Sequence, residues 1–333
     1  MRRFESLAVL VVVVLSAGCS KSNATNPNGT PGGGDAPDLS AGPIGGGGTD
    51  GGGGGTGPTN GLCDGKQPQM LDQSWMIDFG GATRTFEVHV PASYDPNKAT
   101  PMVLNFHGLT SNGMQEIFLT GMNLKSDAQG FIAVHPEGTG NSWNAGGCCD
   151  PAAKDMVDDI GFVTAMLDKL ESDLCVDPKR VFVTGMSNGA FLSDRIGCEL
   201  AARVAAIAPV AGVLVSPTCN PARPMPVLAF HGTADMLVDY YGKGQYGFIG
   251  AQADIDAWAT RDGCTDTAVQ TFQKDDTTCM TRSACKEGAE VTLCTVDGGG
   301  HTWPGGYAIP GGKTTMAISA TDAMWDFFVK HPM

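Results

Sequence analysis

The chain has 333 residues, 47 of them glycine and 11 cysteine, and a formal charge of -14. That acidic balance argues against nucleic acid or an anionic membrane surface as the main partner. With a low-complexity N-terminal region set aside, about 270 residues remain, enough for one α/β domain with a well-buried core.

Residues 1–18 read as a signal peptide. Arg2 and Arg3 supply the basic start, the apolar run Leu7 to Leu15 is too short to span a bilayer, and Ser16-Ala17-Gly18-Cys19 has the small residues of a cleavage site. Leu15-Ser16-Ala17-Gly18-Cys19 resembles a bacterial lipobox, in which the cysteine is diacylated and becomes the new N-terminus. Ser16 stands where that pattern prefers leucine, and a plain secretory signal cleaved near Ala17 is the alternative. Residues 19–60 hold little but Gly, Thr, Pro, Asn and Asp and are expected to form a flexible tether. A coil of about 41 residues spans roughly 35 Å. The expectation is an extracytoplasmic protein, held to a membrane through lipid on Cys19 or else secreted.

Without Cys19 ten cysteines remain, an even set that in an exported chain reads as up to five disulfides. A ring between neighbours is strained, so Cys148 and Cys149 are expected to take separate partners. Zinc is not expected, since no Cys-x-x-Cys pair or Cys/His cluster has ligand spacing. No cofactor is called for. The catalytic domain is placed at 61–333.

Trp75 to Gly80 and Arg84 to Val90 alternate about Gly80-Gly81 and predict an antiparallel pair. Buried strands follow at Met102–Phe106 and Phe131–His135, with a helix between them near 114–129. A loop, 136–154, holds Trp143 and the cysteine pair, and helix-spaced apolar residues run through 155–174. Further strands are predicted before Gly185 and at 205–210, 227–230 and 290–296. Helices are predicted at 190–202, 251–260 and 315–329. Strands alternating with helices imply a mostly parallel sheet covered on both faces, with chemistry at the carboxyl ends of the strands.

Val181-Phe-Val-Thr-Gly185-Met-Ser187-Asn-Gly189 carries the most specific signal. Gly-x-Ser-x-Gly between a strand and a helix is a nucleophile elbow: a sharp turn lifts the serine hydroxyl clear of the sheet, and glycines two before and two after avoid collision. A serine hydroxyl needs a base, and the base needs a partner to hold its tautomer. Asp235, in His231-Gly-Thr-Ala-Asp235 after the strand at 227–230, is the candidate acid, with Asp239 as alternate. His301, flanked by Gly298-Gly-Gly300 and Gly305-Gly306, is the candidate base. The backbone amides of Asn188 and Leu109 are the candidate oxyanion donors. Trp303 and Trp143 are candidates to line an acyl or aromatic pocket, and Trp303 could equally serve to prop up the His301 loop. Asp158 and Asp159 could bind a sugar or a metal, or simply complement a helix N-terminus.

Taken together, His107-Gly108, Asp158-Asp159-Ile160-Gly161-Phe162, Val176-Asp177-Pro178, Gly185-Met-Ser-Asn-Gly189, His231-Gly-Thr-Ala-Asp235 and Gly300-His-Thr-Trp-Pro-Gly-Gly306 resemble the secreted polyhydroxybutyrate depolymerase and feruloyl esterase branch of α/β-hydrolases, related to carbohydrate esterase family 1. The resemblance covers about residues 61–331. It implies an α/β-hydrolase fold and carboxylic-ester hydrolysis through an acyl-enzyme, with Ser187, Asp235 and His301 in the matching positions. Feruloyl or acetyl esters of polysaccharide, or short hydroxyalkanoate esters, are the expected substrates. Polymer depolymerisation, peptide hydrolysis and a non-catalytic surface binder are the alternatives. No segment here is long enough for the extra polymer-binding domain of polyester-degrading members, and Cys279 and Cys294 suggest a disulfide beyond the usual set.

Overall fold

In the computed structural model, residues 61–69 and 71–333 are described. The expected signal peptide, Cys19 and the 19–60 segment lie outside them. The strands are β1 (Asp72–Phe79), β2 (Ala82–His89), β3 (Thr100–Phe106), β4 (Ile132–Pro136), β5 (Val176–Met186), β6 (Ala206–Val210), β7 (Val227–Gly232), β8 (Val269–Lys274), β9 (Thr277–Arg282) and β10 (Val291–Val296). The helices are α1 (Gly113–Thr120), α2 (Met122–Gln129), α3 (Asp159–Asp173), α4 (Asn188–Glu199), α5 (Ala251–Arg261) and α6 (Ala320–Phe328).

One sheet runs in the order β1-β2-β4-β3-β5-β6-β7-β10-β9-β8. Strands β4, β3, β5, β6, β7 and β10 are parallel, and antiparallel strands extend both edges. The central strands are apolar without alternation because both faces are covered, and β3, β4, β6 and β7 are buried along their whole length. On one face Phe162, Met166 and Leu170 of α3, Leu192 and Ile196 of α4, and Ile255 and Trp258 of α5 pack on Leu104, Val183 and Ile207. On the other, Met122 of α2 and Met324, Phe327 and Phe328 of α6 pack on Phe131, Phe182 and Ala208, with Phe328 stacked on Phe182 at 4.7 Å.

Three departures from the sequence expectation have local causes. The helix expected at 114–129 is two helices, because Gly121 adopts φ 63° and caps the first while opening the second. The C-terminal helix begins at Ala320 rather than 315, capped by Ser319 through the Asp322 amide. The β8–β9 hairpin was not expected: β8 is almost wholly exposed and polar, so its pattern carries no buried face.

Five disulfides join Cys63–Cys175, Cys148–Cys149, Cys198–Cys219, Cys264–Cys285 and Cys279–Cys294. The expected bridge between Cys279 and Cys294 is present, joining directly opposed residues of β9 and β10. The expectation of separate partners for Cys148 and Cys149 is corrected. Among the described residues the other eight cysteines pair among themselves, these two bond to each other, and the peptide between them is cis.

A buried carboxyl pair stands behind α4. Asp194 and Asp254 are desolvated and repel each other, and each leaves one oxygen unpartnered. Burial raises the Asp254 pKa to about 7. A raised carboxyl pKa means the folded state binds more protons than the unfolded chain, so the contribution of Asp254 falls as pH rises from the ordinary carboxylate range through about 7. Asp254→Asn mimics the protonated form and keeps an acceptor for the backbone bond with Leu214. The variant is expected to melt about 2–4 °C above wild type at pH 8, roughly 1 kcal/mol, with the gap closing toward pH 4. A lower melting temperature than wild type at pH 8 would refute this account.

Candidate active site

The sheet brings the candidate residues to its carboxyl edge. Ser187 follows β5, Asp235 follows β7, and His301 follows β10. At the elbow Ser187 adopts φ 57°, ψ -118°, a conformation that side chains rarely take, and its amide is held by the Val210 carbonyl at 2.9 Å. The two glycines are there because β3 passes close by. A Cβ on Gly185 would lie 2.5 Å from the Phe106 carbonyl oxygen, and one on Gly189 would collide with the same carbonyl.

Asp235 is buried in the turn after β7. Its Oδ1 accepts the amides of Leu237 and Val238 at 2.8 and 2.9 Å, and its Oδ2 meets His301 Nδ1 at 2.7 Å. Burial by itself would raise the Asp235 pKa. The hydrogen bond and charge of His301, the charge of His231 and the Val238 amide outweigh that, and the carboxyl lies below its ordinary value. His231 is a partner that the sequence did not single out: its Nε2 lies 3.5 Å from Asp235 Oδ2 and 2.7 Å from the Val238 carbonyl. Burial pushes its pKa down, against the opposing pull of the Asp235 carboxylate. The alternate acid, Asp239, is spent on its own turn, accepting the amides of Tyr241 and Lys243.

His301 stands on a loop that runs beside 311–313, with its amide on the Gly311 carbonyl at 2.7 Å and that of Gly300 on the Lys313 carbonyl at 2.9 Å. The β8–β9 turn secures this arrangement: Asp276 binds Lys313 Nζ at 2.6 Å and Thr315 Oγ1 at 2.5 Å. Those hydrogen bonds, Lys313 foremost, hold the Asp276 pKa at about 2. The unforeseen hairpin thus supports the candidate base.

The structure joins Asp235 to His301. Among the described residues the half-buried Ser187 hydroxyl has no hydrogen-bond partner, and catalytic hydrogen bonds are often long before substrate binds. The Leu109 amide has no acceptor among the described residues, and the Asn188 amide belongs to the open first turn of α4.

Trp143 and Trp303 do not stand where a pocket reading needs them. Both are 0% exposed. Trp303 Nε1 donates to Thr321 Oγ1 at 3.1 Å, and Trp143 Nε1 to the His107 carbonyl at 2.9 Å. Neither has surface through which to meet a ligand. Apolar exposure lies instead at Leu109 (42%), Met236 (82%) and Leu237 (49%), beside the candidate oxyanion amide and acid in sequence. Asp158 caps α3 through the Gly161 amide at 2.8 Å, as the helix-terminus account expects, whereas Asp159 pairs with Arg84 at 2.9 Å.

These features define an α/β-hydrolase fold. Among solved structures, an acetyl xylan esterase from Aspergillus awamori superposes with a TM-score of 0.57 over 77% of this chain and 99% of its own, at 15% identity. The chain is homologous to proteins named as esterases. Feruloyl esterase B of Piromyces equi is 34% identical over 232 residues, covering 64% of this chain and 42% of its own length, so the match spans less than half of that relative. The putative esterase NocK of Nocardia uniformis subsp. tsuyamanensis is 28% identical over 276 residues, covering 75% of this chain and 80% of its own. No protein-family model matches.

Proposed function

We propose that the protein is a serine esterase that hydrolyses carboxylic esters through an acyl-enzyme on Ser187. His301 takes the Ser187 proton and later returns it to the leaving alcohol. Asp235 holds the imidazole so that Nε2 is the free acceptor, and stabilises the cation that forms. The amides of Leu109 and Asn188 receive the oxyanion. A second cycle, with water in place of the alcohol, releases the acid. The reading rests above all on the 2.7 Å Asp235–His301 bond, at the same sheet edge as an elbow serine with no competing partner among the described residues.

The names of the relatives favour feruloyl or acetyl esters attached to polysaccharide, ahead of hydroxyalkanoate oligomers or polymer. Exposed Leu109, Met236 and Leu237 suit an apolar acyl group. Five disulfides fit an oxidising, extracytoplasmic compartment. Within this proposal residues 1–18 direct export, Cys19 carries lipid, 19–60 form the tether and 61–333 the catalytic domain.

The test compares kcat/KM for methyl ferulate, p-nitrophenyl acetate, a hydroxybutyrate oligomer and a peptide amide, alongside fluorophosphonate labelling mapped by mass spectrometry. The expected result is an adduct on Ser187 and turnover of the aryl and acetyl esters well above the amide. Folded, oxidised protein that gives no Ser187 adduct is a surface binder instead.

A further inference from the structure

Trp143 occupies a place that neither the elbow nor the oxyanion loop explains alone. Its main chain is gripped at both ends by one side chain: Asn188 Oδ1 accepts the Trp143 amide at 2.7 Å, and Asn188 Nδ2 donates to the Trp143 carbonyl at 3.0 Å. Its indole reaches the other way, donating to the His107 carbonyl at 2.9 Å. The ring also packs edge-on against Phe106, with centroids 5.2 Å apart. Trp143, Asn188 and His107 are all 0% exposed.

The two residues it joins precede or carry the proposed oxyanion donors. Asn188 supplies one amide itself. His107 sets the other: the Gly138 amide donates to His107 Nε2 at 3.0 Å, so the ring proton resides on Nδ1, which donates to the Gly108 carbonyl at 2.8 Å. Burial depresses the His107 pKa to about 4 and keeps this tautomer neutral. In a trans peptide the carbonyl and the next N–H point in opposite directions, so anchoring the Gly108 carbonyl aims the Leu109 amide.

The loop around Trp143 is braced in turn. The Cys149 amide donates to the Trp143 carbonyl at 2.9 Å, Ala145 to the Cys148 carbonyl at 2.6 Å, and Asn144 to Asp159 Oδ2 at 2.7 Å.

We infer that Trp143 is a positioning residue, tying the Asn188 and Leu109 amides into one rigid oxyanion hole by holding Asn188 and His107 at a fixed separation. This deepens the esterase reading and rests on it. A site held to within about 0.5 Å keeps its transition-state stabilisation, and a shift of about 1 Å can cost on the order of a hundredfold. Trp143 touches no substrate, so its loss acts on kcat and leaves ground-state binding alone.

The test replaces Trp143 by phenylalanine and, separately, by 3-benzothienylalanine, which keeps the bicyclic shape and deletes only the N–H. Both are assayed on methyl ferulate and p-nitrophenyl acetate, and for affinity toward a phenylboronic acid, which forms a tetrahedral adduct with an active serine. The expected result is a kcat about 10- to 100-fold lower, KM within about twofold, and boronate affinity weakened in step with kcat. Benzothienyl protein with wild-type kcat and boronate affinity overturns the inference, even if its melting temperature drops, because a packing role alone gives that pattern. Wild-type protein that neither hydrolyses the esters nor binds the boronate brings down the esterase reading, and this inference with it. Active wild type with unchanged variants brings down this inference alone.

Discussion

Ser187→Ala is expected to lower kcat on methyl ferulate by about 10⁴- to 10⁶-fold while leaving the melting temperature unchanged. Alanine is no less compatible than serine with the positive φ at this position, so the elbow is retained. His301→Ala is expected to lose activity on the same scale. The informative measurement is the double variant. Two groups that act as one unit give losses that do not add, so Ser187→Ala/His301→Ala should be within about threefold of the slower single variant. The cycle bears directly on the link that the structure leaves open, since the Ser187 hydroxyl has no hydrogen-bond partner among the described residues. Multiplying losses would mean that the serine and the imidazole work independently, and the proposed mechanism would fall.

The parts of this molecule that were legible in the sequence are those where local physics dictates residue type. The elbow glycines are forced by the Phe106 carbonyl, and that close approach leaves a mark in the sequence whatever the substrate. The central strands read as unbroken apolar runs because helices cover both faces. The Asp-then-His order after the serine follows from strand order in the sheet, β5, β7, β10. What escaped depends on contacts between segments far apart in the chain. A tryptophan in a loop can line a pocket or brace one, and only the position of Asn188 and His107 around it decides for Trp143. The support that Asp276 gives to the His301 loop arises from a hairpin whose first strand, β8, has no buried face to reveal it. The Cys148–Cys149 bond emerges only once every other cysteine among the described residues is seen to be committed elsewhere.

Asp235→Asn separates the role of charge from the role of shape. Both side chains can accept the Leu237 and Val238 amides through Oδ1, so the turn should keep its form. At the other position the consequence differs. Asn presents an NH₂ where the carboxylate accepted from His301 Nδ1, so the ring proton moves to Nε2 and the nitrogen facing the nucleophile becomes a donor. A base with its proton on the wrong nitrogen cannot activate Ser187, and kcat is expected to drop about 10⁴-fold with KM little changed. Stability should follow a linked course. Because Asp235 titrates below its ordinary value in the folded state, its ionised form contributes stability that is complete above the ordinary carboxylate range and is lost as pH falls through the depressed value. Asp235→Asn should therefore melt below wild type at pH 7, with the difference shrinking as pH is lowered past that range. Melting curves from pH 3 to pH 8, read beside kcat, test both halves. A variant with most of its activity intact would assign the acid's role elsewhere, and a stability gap that grows in acid would show that the Asp235 carboxylate is not held by the His301 bond as described.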